Sequence, residues 1–217
     1  MGPKARDVLN ACSPNDYSNE NHPFGTMREV EIGYGIARAH RVSYVGELGW
    51  EIYVGSDMAG HVFETLEEAG QPHGLKLAGL HVLDSCRIEK AFRHFGHDIT
   101  DEDHVLEAGL GFAVRVQKPD FIGRDAVMRK KEEGLRRRML QFKLNDAEPL
   151  LYHNEPIVRD GGIVSFLTSG NYGHHLGGAI GMGYVPIEAD EKSDEILASS
   201  WEIEIAGTRV TAEASIK

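Results

Sequence analysis

From Arg136 onward the chain is cut into short runs of β-branched and aromatic residues, each closed by Gly, Pro, Asn or Asp: RRMLQFKL, EPIVRD, GGIVSFLTSG, GGAIGMGYVP, SWEIEIAG and TRVTAEASI. Runs this short and this often interrupted leave no room for a long helix. They predict strands joined by tight turns, and hence a small β-barrel or β-sandwich. The first part of the sequence reads differently. GPKARDVLNAC predicts a short helix with Pro3 near its start, and SPNDYSNENHPFG a loop rich in turn formers. Met58, Val62, Phe63, Leu66 and Ala69 recur at helical spacing, with Ser56 as a cap and Gly70 as a stop. GLHVLDSCRIEKAFRHFG, residues 79–96, predicts a second helix, and FIGRDAVMRKKEEG, residues 121–134, a third. VLEAGLGFAVR reads as a turn followed by a strand. The change of pattern puts a domain boundary near residue 135. A chain of 217 residues, at roughly 100–200 residues per domain, accommodates the two resulting domains, 1–135 and 136–217.

The net charge of −11 argues against nucleic acid or an anionic membrane as a partner, because both attract positive fields. The one basic stretch, RKKEEGLRRR at 129–138, reads as a solvated helix end. No apolar run approaches the roughly 18 residues that span a bilayer. The N-terminus has no apolar signal-peptide core, and Cys12 and Cys86 form no disulfide framework, so a cytoplasmic setting is expected. GLGFAV and GGAIGMG both depart from the dinucleotide-binding spacing, and their glycines are expected at turns or close strand packing. His94, His97 and His104, among Asp98, Asp101, Glu102 and Asp103, resemble a metal cluster only loosely, because Gly96 interrupts them; a solvated helix end is the reading expected, with no metal.

RVSYVGELGWEIYV, residues 41–54, predicts a β-hairpin. A turn centred on Glu47–Leu48 puts Tyr44 opposite Glu51, with a phenol and a carboxylate side by side on one face. A carboxylate so placed accepts two donors at once. On pattern alone, an exposed edge hairpin with a solvated glutamate serves as well.

GPKARDVL, PFGTMREVEIGYGIARAHRVSYVGELGWEIYV, RIEKAFRHFGHDIT, LEAGLGFAVR, DFIGRDA and TSGNYGHHLGGAIGMGYVP run in order through nearly the whole chain. Together they resemble the glycine cleavage T-protein (aminomethyltransferase) family, and most of all the T-protein-like, folate-binding C-terminal part of dimethylglycine and sarcosine dehydrogenases. The resemblance implies an α+β fold: a partial folate-binding domain, mixed sheet with helices, then a small C-terminal β-barrel. It implies tetrahydrofolate as the bound cofactor. In the family the position of Glu51 accepts from the pterin's amidine edge, and that of Tyr44 lines the pocket. Arg87 is expected either to reach the folate glutamate tail or to form an ion pair, and Tyr172, with Tyr184, to lie near the channel mouth. Leu83 stands where T-proteins have an arginine, which is more like the dehydrogenase branch.

The implied activity is one-carbon transfer from an aminomethyl donor to tetrahydrofolate. A non-catalytic folate-binding module, or subunit of a split enzyme, is the second reading; a folate-dependent demethylase of a methylated amine or sulfonium is the third. The chain begins inside the family's pattern, downstream of its catalytic aspartate. It is therefore expected to be inactive alone, as a homo-oligomer or with a partner subunit supplying that region.

Overall fold

The computed structural model describes residues 1–189 and 191–216. It divides into two compact units, Met1–Leu83 and Asp84–Lys217.

The first unit contains α1 (Ala5–Cys12), β1 (Met27–Ile32), β2 (Gly35–His40), β3 (Glu51–Val54) and α2 (Ala59–Gly70). Its sheet has the order β1-β2-β3, and the strands pair antiparallel throughout. β1 and β2 form a tight hairpin in which Ile32 pairs with Gly35. The turn needs Gly33: its φ of 57° is left-handed, and a Cβ there would lie 2.5 Å from His61 Nε2. Alternation then does its work. Val30, Ile32, Ala37 and Ala39 point inward with Ile52 and Val54, and pack with Leu9 of α1, Val62 of α2, Tyr17 and Trp50. α2 begins at Ala59 rather than at the Ser56 cap, because Gly55 and Met58 close a turn first, Met58 donating to the Gly55 carbonyl at 3.0 Å.

The expected hairpin about Glu47–Leu48 is corrected here. β2 and β3 do pair, but His40, not Tyr44, lies opposite Glu51. Residues 41–50 form no strand. The β2–β3 ladder ends at His40, where the chain turns: the Val42 N–H donates to the His40 carbonyl at 2.9 Å, while Arg41 still bonds Thr26 and Gly25 on the β1 side, both at 2.9 Å.

The second unit opens with the C-terminal half of α3 (Leu80–Glu89) and contains α4 (Arg124–Glu133), β4 (Arg137–Leu144), β5 (Pro156–Arg159), β6 (Gly162–Phe166), β7 (Ser169–Gly173), β8 (Gly178–Pro186), α5 (Ser193–Ala198), β9 (Trp201–Ile205) and β10 (Thr208–Ser215). The strand order is β6-β5-β9-β10-β4-β8-β7, antiparallel at every step. The two end strands, β6 and β7, are consecutive in the chain. Of the two residues joining them, Leu167 donates to Glu155 at 2.9 Å and Thr168 to Met182 at 2.7 Å, so each prolongs the ladder on its own side. The sheet thus curls until its edges meet, as a small barrel does. Leu140, Phe142, Leu144, Leu151, Ile157, Leu167 and Ile203 fill it.

Two helical expectations change. α3 stops at Glu89, short of Gly96, because Ala91 is left-handed (φ 53°) and Arg87 and Arg93 take the carbonyls of Phe92 and Ala91 at 3.0 and 2.6 Å. Gly111–Ala113 is a 3₁₀ turn rather than the start of a strand, closed by Val114 donating to Gly111 at 3.1 Å.

Candidate functional site

Glu51 is the first residue of β3, half-buried, on the sheet face opposite the core. Side chains two apart share a face of a strand, so Tyr53 stands beside it, and its hydroxyl donates to Glu51 Oε2 at 2.5 Å. The same contact raises the pKa of the Tyr53 phenol, since ionising it would set two anions together. In this face Tyr53 pairs with Arg38, and Arg38 with Glu29. A shallow hollow of about 290 Å³ lies here, lined by Glu29, Ile36, Arg38 and Tyr53. Glu51 Oε1 accepts from no described residue. The carboxylate therefore keeps acceptor capacity on an uncovered surface, which is what a flat ligand edge with two N–H donors requires.

Tyr44 lies half-buried in the irregular 41–50 connection, not across a ladder from Glu51. That connection is held at both ends. At its start, Arg41 donates to the His22 carbonyl and to Asn19 Oδ1, both at 2.7 Å. At its end, the Gly2 N–H donates to the Leu48 carbonyl at 2.7 Å, and Trp50 is buried against Tyr17 and His22 with ring centroids 5.5 and 6.0 Å away. The guanidinium carbons of Arg41 and Arg6 lie 5.7 and 5.9 Å from the Trp50 ring centroid. Sequence reasoning missed this bracket. SPNDYSNENHPFG reads as a loop, and only the fold reveals that Tyr17, Asn19 and His22 are its anchors. A wider cleft of about 600 Å³ in the same unit, bounded by Lys4, Trp50, Phe63 and Leu75, opens on the core side of the sheet, away from the Glu51 side chain.

Arg87 and Tyr172 belong to the second unit. Arg87 is buried and donates to Asp98 Oδ2 at 2.5 Å, to Asp84 Oδ1 at 3.2 Å and to the Phe92 carbonyl at 3.0 Å. Of its two expected roles, the ion pair is the one the geometry displays. Tyr172 sits on β7; its carbonyl accepts from the Ser85 hydroxyl at 2.6 Å, and its ring meets that of His174 at 5.1 Å. Tyr184 is buried under Arg137, whose guanidinium carbon lies 4.5 Å from its ring centroid, and burial pushes its phenol pKa strongly upward.

Two acidic and basic runs are corrected. Asp98, expected on a solvated helix end, is fully buried and also accepts from the hydroxyls of Thr168 (2.5 Å) and Ser169 (2.6 Å) and from the His94 N–H (2.9 Å). The basic stretch is likewise not simply solvated: Lys130 and Arg137 both pair with the buried Glu107, at 2.7 and 2.8 Å. Burial raises the Glu107 pKa, but the two cations outweigh it and hold the carboxyl below its ordinary value. Among the described residues no group of three His, Cys, Asp or Glu is placed to hold a metal ion. No described helix is long and apolar enough to cross a membrane.

Residues 1–118 match the family model described as the GCVT N-terminal domain, and residues 137–217 that of the glycine cleavage T-protein C-terminal barrel domain. The chain is 43% identical over 216 residues to 4-methylaminobutanoate oxidase (formaldehyde-forming) of Paenarthrobacter nicotinovorans, covering 99% of this chain and 26% of that protein. It is 34% identical over 220 residues to mitochondrial sarcosine dehydrogenase of Homo sapiens, covering all of this chain and 24% of that one. With an aminomethyltransferase of Halothermothrix orenii it shares 38% identity over 188 residues, 85% of this chain and 51% of the relative. The glycine cleavage system aminomethyltransferase T of Bartonella henselae has the same fold, with a TM-score of 0.82 at 24% identity over 100% of this chain and 57% of that chain. The chain thus spans about a quarter of the oxidase and dehydrogenase and about half of the aminomethyltransferases.

Proposed function

The chain belongs to the glycine cleavage T-protein family, and from that premise we propose that it binds tetrahydrofolate as the one-carbon acceptor of an aminomethyltransferase reaction. The observation that carries this reading is the Glu51 carboxylate, held on an uncovered sheet face by Tyr53 with acceptor capacity left. Those residues fit a pterin. Its amidine edge offers two parallel N–H donors, and a carboxylate meets such a pair bidentately. Tyr44, in the connection leading into β3, is assigned to flank the ring. Arg87, engaged with Asp98 and Asp84, keeps a supporting role in α3. When bound, tetrahydrofolate supplies the nucleophilic nitrogen that takes up the one-carbon unit. This chain's residues orient the pterin for it, and orientation is where such an enzyme gains much of its rate.

The aminomethyl donor and the proton-handling acid are assigned to a larger protein or partner polypeptide that includes the rest of the family's architecture. The boundary near residue 135 is proposed as the junction of the folate-binding and barrel domains, and a cytoplasmic, reducing setting fits the two unbridged cysteines. The test is a calorimetric titration with tetrahydrofolate. Glu51→Gln sets a donor against a donor with little change of size. A hydrogen bond to a charged group contributes about 1.5–3 kcal/mol, so affinity should fall by roughly ten- to a hundred-fold. Glu47→Gln, in the loop, should bind as wild type does. Equal affinities for wild type and Glu51→Gln, with unchanged melting, would remove the pterin anchor.

A further inference from the structure

The last rung of the β2–β3 ladder is His40 opposite Glu51. The next residues outward, Arg41 and Trp50, are the two ends of the connection that carries Tyr44, and they meet through a guanidinium on an indole rather than through backbone hydrogen bonds. Arg6, from α1, reaches the same ring. Both guanidiniums converge on one acceptor, Asn19 Oδ1, at 2.8 Å from Arg6 and 2.7 Å from Arg41. Each has one further anchor: Arg6 the Tyr17 carbonyl at 2.8 Å, Arg41 the His22 carbonyl at 2.7 Å. Every one of these acceptors is a neutral oxygen. Among the described residues, the two cations are thus kept together without a carboxylate, in a chain with a net charge of −11. An ordinary surface ion pair would be simpler if loop closure were all that was needed. The arrangement is instead directional: each guanidinium is a planar fork fixed by two oxygens and lies over the Trp50 ring, which Tyr17 and His22 hold from the core.

We propose that Arg41, with Arg6 as a second arm, is a positioning residue for folate recognition, acting by fixing Trp50 and so the backbone from which the Glu51 side chain springs. The proposal rests on the folate reading above. Trp50 immediately precedes Glu51, the first residue of β3, so holding Trp50 in place against Tyr17 and His22 fixes the point from which the backbone enters the strand.

Tetrahydrofolate titrations of wild type, Arg41→Met, Arg41→Lys, Glu51→Gln and the Arg41→Met/Glu51→Gln double variant test this. Arg41→Met should weaken binding by about three- to thirty-fold, the range of one cation–π contact from exposed to desolvated. Arg41→Lys, which restores the cation but not the fork, should recover part of that. In the Glu51→Gln background Arg41→Met should add little, because its effect passes through Glu51; a purely structural residue would lower affinity equally in both backgrounds. Equal effects in both backgrounds, or wild-type affinity in a folded Arg41→Met protein, would overturn the proposal. Amide hydrogen exchange of the ligand-free proteins reads the clamp without folate: Arg41→Met should speed exchange across 42–51 more than in the rest of the first unit, and unchanged protection there would also overturn it. If wild type itself fails to bind, the folate reading falls and takes the proposal with it. That result is distinct from wild type and variant binding alike, in which only the clamp fails.

Discussion

A single buried carboxylate organises one end of α3. Asp98 is fully buried and accepts from Arg87, Thr168, Ser169 and the His94 backbone. Removing one partner of a buried pair strands the other, at a cost of about 3–5 kcal/mol, whereas replacing both by apolar groups is far milder. Asp98→Leu should therefore destabilise the second unit by about 3–5 kcal/mol in urea unfolding, and adding Arg87→Met should restore part of the loss. If Asp98→Leu alone is silent, Arg87 is not held by it and is available to a ligand. At this scale the sequence was half legible. The setting of Glu51 in SYVGELGWEIYV put it on a strand beside a phenol, and so it stands, but the phenol is Tyr53 and not the Tyr44 expected across from it. Asp98 had no such mark: in HDITDEDH it looks like its acidic neighbours, and what distinguishes it is a pair of hydroxyls some 70 residues away in sequence. The same holds for Arg41, whose partners lie in a segment with no periodicity to betray it.

Strand β8 shows what an element asks of its residues. Eight of its nine residues are buried, so neighbours press on both faces, and Gly181 and Gly183 stand where they press hardest. A Cβ at Gly183 would lie 2.8 Å from the Phe166 carbonyl oxygen and 2.6 Å from Ile157 Cδ1, and neither φ nor a turn is involved. Gly183→Ala should cost about 1–3 kcal/mol by overpacking, because a backbone oxygen has little room to yield. Gly162→Ala, in β6, meets nothing closer than 3.8 Å and should change stability by no more than about 0.5 kcal/mol. Chemical denaturation of the two variants measures the contrast, and equal losses would show that close packing is not the reason for Gly183. The existence of these strands was legible because β-branched runs between turn formers have few other uses. Where pairing stops was not. β2 and β3 part at His40, where Val42 folds back to donate to the His40 carbonyl, a local turn that the strand-like composition of 41–54 conceals.

At the scale of the whole chain, the two units carry different titrating groups at their hearts, and acid should find them separately. In the first unit His22 is fully buried among Tyr17 and Trp50. Burial lowers its pKa from 6.5, aided by the charges of Arg28 and Arg41 and opposed by backbone acceptors at Thr26 and Ala39. The folded state thus favours the neutral ring, so the stability it contributes is present above pH 6.5 and is lost as pH falls below that through the folded value. In the second unit Glu107 is held below its ordinary 4.5 by Lys130 and Arg137 in spite of burial. Its contribution is present above pH 4.5 and lost only on further acidification. The chain has two tryptophans, Trp50 in one unit and Trp201 in the other, so each unit has its own reporter. In Trp201→Phe the remaining Trp50 emission should begin to change as pH drops below about 6.5; in Trp50→Phe the Trp201 emission should hold until the carboxylate range. His22→Gln should move only the first transition. Coincident transitions at the lower pH would mean that His22 takes up its proton without disturbing the Trp50 bracket, and that the 41–50 connection it supports keeps its shape in acid.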